Sequence, residues 1–292
     1  MPLAKKKRHA LLRKAFQVIE RTDPLIRIAE ALERIAPQPI PTIDWRSGPA
    51  YVWDRGGARA VAQLQAPALS LLRGIDGQKT MVTSNVARLA AGHAAHDMLL
   101  WGSRGMGKSA LLRASIVAEQ ATSPEAIALV QVAPDALTAL SALFAQLNGI
   151  DRRFLVFIDD LGFEDSDGTG PRALRSWLEG GVEARPANIR LAVTSNRRAI
   201  VARHASEQDD PINPRDAMDD KLALADRFGL SIGFHNCTQD DYLNIITGYA
   251  EKLGLEWQAG DALEWSRRRG ARSGRVAWHY VTELAGQAGK AL

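Results

Sequence analysis

Asp97-Met98-Leu99-Leu100-Trp101-Gly102-Ser103-Arg104-Gly105-Met106-Gly107-Lys108-Ser109-Ala110-Leu111-Leu112 is the stretch on which the reading of this chain turns. Met98 to Trp101 are apolar, three glycines follow at 102, 105 and 107, and Lys108-Ser109 open a run of Ala and Leu, both strong helix formers. Strand, turn and helix in that order frame a complete G-x-x-x-x-G-K-[ST] phosphate loop. Glycine lets the backbone curl until successive N–H groups converge, and the positive end of the following helix faces the same spot. A nucleotide's phosphate chain is the expected occupant. Gly102, Ser103, Arg104, Gly105, Met106, Gly107 and Ala110 would form the cradle for ATP. Lys108 would bring a mobile charge to the β- and γ-phosphates, and Ser109 a hydroxyl ligand for Mg2+.

Further apolar segments recur at 126–132, 154–158, 189–194 and 229–234, with helical stretches between them and another helix pattern running up to about Ala91. Alternation of near-continuous apolar strands with helices predicts an α/β fold: a five-stranded, mostly parallel sheet covered on both faces. Ligands of such sheets bind at the carboxyl ends of the strands. The chemistry-bearing residues fall there. Phe154-Leu155-Val156-Phe157-Ile158-Asp159-Asp160 reads as a Walker B strand, with Asp159 supporting the Mg2+ shell and Asp160 orienting or deprotonating the attacking water. Val193-Thr194-Ser195-Asn196 ends a third strand in an amide that could bond that water or the γ-phosphate. Arg227 stands just before the last strand, and Arg267, Arg268, Arg269, Arg272 and Arg275 cluster around Gly270 and Gly274. The latter lie in a region whose periodicity predicts three helices, near 238–253, 258–269 and 274–286, forming a small lid.

The organisation predicted from these patterns has four parts: an N-terminal helical region with a basic tail (1–40), a proline-rich linker or arm (41–70), the ATPase core (71–236) and the helical lid (237–292). Helical periodicity over 9–36 breaks at Thr22-Asp23-Pro24, where Asp23 can cap a second helix. Ala50-Tyr51-Val52-Trp53 could be a short strand or an extended arm. Residues 203–220, acidic and broken by proline, could contact a partner or be a solvated insertion.

Hydrophobic residues make up 46% of the 292 and charged residues 24%, an ordinary globular balance, and no apolar window approaches the roughly 20 residues of a membrane span. The single cysteine, Cys237, can neither close an intrachain disulfide nor build a metal cluster, which fits a reducing cytoplasm. The net charge of +4 is localised: Lys5, Lys6, Lys7, Arg8, Arg13 and Lys14 carry it, and the remainder is slightly acidic. Nucleic acid could therefore be met through this N-terminus, although a solvated tail is the simpler account of Lys5 to Arg8. No His/Cys cluster at ligand spacing and no serine nucleophile elbow competes with the phosphate loop.

Taken together, the phosphate loop, the strand ending in two acids, the strand ending in Asn196, the Arg227-Phe228 pair and Arg275 opening a lid helix resemble the AAA+ ATPases. More closely, Leu99-Leu100-Trp101-Gly102, Asp159-Asp160-Leu161, Leu178-Glu179-Gly180-Gly181, Thr194-Ser195-Asn196-Arg197-Arg198 and Arg272-Ser273-Gly274-Arg275-Val276-Ala277-Trp278 resemble a bacterial family of unknown-function domains described only as ATP-binding proteins. The match spans about Tyr51 to Ala285. The resemblance implies Asn196 as sensor 1, Arg227 as an arginine finger reaching a neighbouring copy, Arg275 as sensor 2, and Ile75 against adenine. It departs from the commonest AAA+ pattern at Asp160, where Glu is usual. ATP and Mg2+ are the implied cofactors, and a homo-oligomer, which need only be transient, the implied assembly. The protein partner is not identified by any residue. Three functions compete: an ATPase doing conformational work on a partner, a nucleotide-binding switch with negligible turnover, and a DNA accessory ATPase similar to helicase loaders or transposition helpers.

Overall fold

Seven strands among the described residues form one sheet: β1 (Ala50–Asp54), β2 (Gly57–Val61), β3 (Met98–Gly102), β4 (Ile127–Val132), β5 (Arg153–Ile158), β6 (Ile189–Ser195) and β7 (Leu230–Phe234), in the order β2-β1-β4-β5-β6-β3-β7. The computed structural model describes residues 24, 28, 43–55, 57–161, 174, 177, 178, 184–196 and 226–292. The segment 203–220 and the helix pair predicted over 9–36 lie outside these, apart from Pro24 and Ile28, which are helical and exposed. The chain divides into two units, Met1–Thr42 and Ile43–Leu292, and the sheet belongs to the second.

The expectation of five strands is corrected to seven. The stretch at 50–53 is a strand after all: it pairs antiparallel with β2 and parallel with β4, while every other pairing in the sheet is parallel. Its sequence explains why it docks. Ala50, Tyr51 and Trp53 are buried, so β1 covers the edge that β4 would otherwise leave unpaired. The new edge, β2, carries the exposed Arg59 and is mostly solvated, a poor template for further pairing.

The inner strands are apolar on both sides because helices cover both faces. Alternate residues divide between two cores. Leu99, Phe154, Val156 and Val193 join Leu140, Leu143, Phe144 and Leu147 of α3 (Leu140–Leu147) on one face. Met98, Leu100, Leu155 and Phe157 join Val82, Val86 and Leu89 of α1 (Asp76–Ala90) and Leu111, Leu112 and Ile116 of α2 (Lys108–Thr122) on the other. At the opposite end of the sheet from the strands' carboxyl termini, buried Arg152 donates to five carbonyls, those of Trp45, Arg46, Gly48, Pro124 and Ile127, and Asn188 to three more. They satisfy backbone acceptors that connecting loops would otherwise bury unpaired.

After β7 the chain becomes three helices, α4 (Gln239–Leu253), α5 (Ala259–Arg268) and α6 (Gly274–Gln287), packed around Tyr242, Ile246, Ala262, Ala277 and Val281. Local chemistry sets their ends. Thr238 and Asp241 form a reciprocal capping box at the start of α4, Gly254 closes it in the left-handed conformation, and the Ser273 hydroxyl caps α6. Among the described residues no helix is long and apolar enough to cross a membrane.

Candidate functional site

The strands β5, β6 and β3 lie side by side, so their carboxyl ends open onto one place: a cavity of about 560 Å3. Lys108 is the first residue of α2, whose N-cap, Gly107, has φ 89°. Gly105 has φ 76°. These are left-handed backbone positions that a side chain would strain, and between them they turn the loop back toward its own helix. The Lys108 ammonium is thereby directed inward. It donates to the carbonyls of Gly102 and Ser103, each at 2.8 Å, and to Asn196 Oδ1 at 3.0 Å. Burial lowers its pKa to about 8, against the opposing pull of Asp160 and Asp159.

A second chain of bonds ties the acids to β6. Asp159 Oδ1 accepts from Ser109 Oγ at 2.7 Å and from Thr194 Oγ1 at 2.6 Å, and Thr194 Oγ1 in turn accepts from the Asp160 backbone N–H at 2.8 Å. Among the described residues Asp160 is the one non-glycine with positive φ, at 52°. Its carboxylate accepts a hydrogen bond from the Asn196 amide and lies 3.5 Å from the Arg104 guanidinium. Lys108, Ser109, Asp159, Asp160 and Asn196 are thus joined in one network.

The cavity also has apolar lining, from Leu71, Leu72, Ile75, Ile245, Tyr249 and Trp278. The Tyr249 and Trp278 rings are 4.9 Å apart, and Trp278 is one of the few large apolar side chains left exposed. Arg73 fastens this wall to the lid through Asn244 and Glu251 of α4. A closer seam joins loop and lid: the Arg275 N–H donates to the Gly105 carbonyl at 3.2 Å, and a Cβ on Gly105 would stand 2.8 Å from Ser273 Oγ.

The family model for a protein of unknown function, DUF815, matches residues 46–288. The chain belongs to the DUF815 family. That description carries no ligand, so the expected naming of the family for ATP binding is not part of it. No curated protein matches the chain. Among solved structures, the DUF815 chain is similar to two variants of Thermotoga maritima RuvB, with TM-scores of 0.51 and 0.50 at 19% and 18% identity, each covering 78% of this chain and 68% of that one. The Aeropyrum pernix ORC1 protein in complex with DNA aligns with a TM-score of 0.52 at 15% identity over 75% of this chain and 64% of that one. These likenesses concern the fold alone, a mostly parallel α/β sheet covered by helices.

Of the residues singled out in the sequence, Ile75, Arg104, Gly105, Met106, Gly107, Lys108, Ser109, Ala110, Asp159, Asp160, Asn196 and Arg275 line this one cavity of the DUF815 chain. Gly102 and Ser103 do not line it but hold Lys108 through their carbonyls. Arg227 does not line it either, and sits half-buried in the turn before β7. Sequence reading passed over Thr194, Arg73, Arg113, Tyr249 and Trp278. Thr194 looks like any β-branched strand residue, and its two hydrogen bonds to the acids depend on β5 and β6 being neighbours. The Trp278 position could have been found: it stands three residues beyond Arg275, hence one turn along the same helix face.

Proposed function

We propose that this chain is a Mg2+-dependent ATPase of AAA+ type that turns ATP hydrolysis into movement of a bound partner. The observation that carries the reading is the single network in which Lys108, Ser109, Asp159, Asp160 and Asn196 meet around one cavity. Its lining matches a nucleotide's two parts: apolar, aromatic side chains for the base and a cationic loop for the phosphates. Lys108 exchanges its protein acceptors for β- and γ-phosphate oxygens, as a point charge on a flexible stem can. Asn196, once released from Lys108, shares with Asp160 the task of holding a water in line with the γ-phosphorus. Asp160 takes that water's proton as its oxygen bonds to phosphorus and the bond to the leaving ADP oxygen breaks. Arg275 and Arg104 offset charge on the phosphoryl oxygens.

Ser109 and Asp159 offer adjacent hard oxygens, which suit Mg2+. Among the described residues no group of three or more His, Cys, Asp or Glu could hold a metal ion. Ser109 and Asp159 would hold the ion with water and substrate oxygens making up the remainder, and it would supply neutralisation of the phosphates' charge.

Arg227, away from its own cavity, acts on a neighbouring copy, so turnover requires a homo-oligomer. A nucleic-acid partner engaged by the basic N-terminus is the finer alternative; the ORC1 complex shows only that one protein of this fold binds DNA. The switch reading has its own support in Asp160, whose carboxylate is engaged by Asn196 and Arg104. A cytoplasmic setting accords with the single, buried Cys237.

The test is ATP hydrolysis with Mg2+ and with EDTA, together with calorimetry of ATP on Lys108→Ala. Mg2+-dependent phosphate release and loss of binding in the variant are expected. Binding without release would leave the switch, and unchanged ATP affinity in Lys108→Ala would remove both readings.

A further inference from the structure

A second cleft, of about 720 Å3, opens on the other side of the phosphate loop, between Ser103 and the turn joining α5 to α6. Its lining carries Arg104, Arg267 and Arg272 and no carboxylate. The five arginines of the lid are disposed in three ways. Arg268 pairs with Glu264 at 2.5 Å, and Arg269 lies over the Trp265 ring at 4.9 Å. Arg275 lines the nucleotide cavity. Of these five, only Arg267 and Arg272 face the second cleft, and among the described residues neither guanidinium makes a hydrogen bond or ion pair. Asn236 adds a neutral donor beside them. Asn236 uses its Oδ1 to accept from Ser103 Oγ, which leaves its NH2 group turned to other acceptors.

A concave site of this size with three guanidiniums, a free amide N–H pair and no acid suits a ligand that only accepts hydrogen bonds and carries more than one negative charge. We infer that this cleft is an anion site for a small phosphoryl-bearing ligand, with Arg267 and Arg272 gripping its oxygens and Arg104 as the third contact. Arg104 lines both cavities and stands 3.5 Å from Asp160 Oδ2. An anion that draws Arg104 into the second cleft frees the Asp160 carboxylate in the first. That coupling rests on the ATPase reading; the anion site itself does not.

Pyrophosphate is the probe, titrated calorimetrically without divalent metal into the full-length Lys108→Ala protein, so that the phosphate loop is disabled. One binding event is expected, weakened at least tenfold in Lys108→Ala carrying Arg267→Ala and Arg272→Ala and recovered in part by lysines at both positions. Circular dichroism and Tm check that the variants fold, which exposed arginines on a capped helix pair should permit. The same titration on the wild type saturated with ADP provides a second arm with the loop filled rather than broken. No binding in either arm, or binding that survives the double substitution, overturns the site. A fall in oligomeric mass on the double substitution with no pyrophosphate bound also overturns it, and makes the cleft a contact between copies.

Discussion

At Asp160 the backbone and the side chain make different demands. The left-handed conformation, φ 52°, is one that aspartate and asparagine reach more readily than other side chains, whereas most residues lose roughly 1–2 kcal/mol there. The short acid, unusual for the AAA+ resemblance, therefore follows from the turn that the Thr194 hydroxyl pins by accepting the Asp160 N–H. Asp160→Glu is expected not to raise turnover and to lower stability by about 1 kcal/mol, measured by ATPase assay and denaturant unfolding. A tenfold faster variant would mean that reach, not backbone, limits the site. Asp160→Asn should retain ATP while turnover drops by about 100-fold or more.

Lys108 gives the site a pH dependence of definite sign. Its folded pKa of about 8 lies below the ordinary 10.5, so between these values the unfolded chain holds a proton that the fold has released. Stability without nucleotide therefore rises with pH across that window, and below it the burial penalty on the charged amine is present in full. On the ATPase reading, ATP binding should run the opposite way, because only the ammonium attracts phosphate. Affinity should fall above about pH 8, with proton uptake on binding at pH 8.5 visible in calorimetry as a dependence on buffer ionisation heat. Lys108→Ala should show none.

Among the elements, those with strong local signals were the legible ones. The phosphate loop packs its fixed positions into eight residues, and the lid helices announce themselves through their helical periodicity. The β1–β2 hairpin was not legible in the same way. Pro49 precedes it, its apolar residues do not alternate cleanly, and its reason for being a strand is the open edge of β4, far away in sequence. The Arg152 hub was equally silent, since five carbonyl partners drawn from two loops and the start of β4 leave no pattern near residue 152. It can be weighed directly. Arg152→Met should strand buried carbonyls and destabilise by about 3 kcal/mol or more, lowering Tm by roughly 6–12 °C, while ATP affinity in the folded protein stays within about twofold. A larger loss of affinity than of stability would show that the base of the sheet and the site are mechanically coupled.

For the whole molecule, the question is whether one copy suffices. Arg227 stands outside the cavity of its own chain, so the ATPase reading places its partner phosphate in a second copy. An arginine supplied in trans can contribute about 10³–10⁵ in turnover. Specific activity should then rise with protein concentration, and inactive Arg227→Ala mixed with inactive Lys108→Ala should recover activity, each supplying what the other lacks. Concentration-independent turnover with no rescue would leave Arg227 a structural residue of the turn before β7.

The lid is attached to the phosphate loop at two backbone seams. At one, the Ser103 N–H donates to the Phe234 carbonyl, and a Cβ on Gly102 would come within 2.1 Å of that same oxygen. Phe234 ends β7 and leads directly into α4. At the other, Gly105 meets Arg275 at the head of α6. The Arg73 grip on α4 is made by a long side chain to a partly exposed partner and can yield. A body riveted at two points does not flap; it rolls about the line between them. A change in the curl of the loop on the arrival of a phosphate is therefore expected to reach the lid as a roll about that line rather than as an opening.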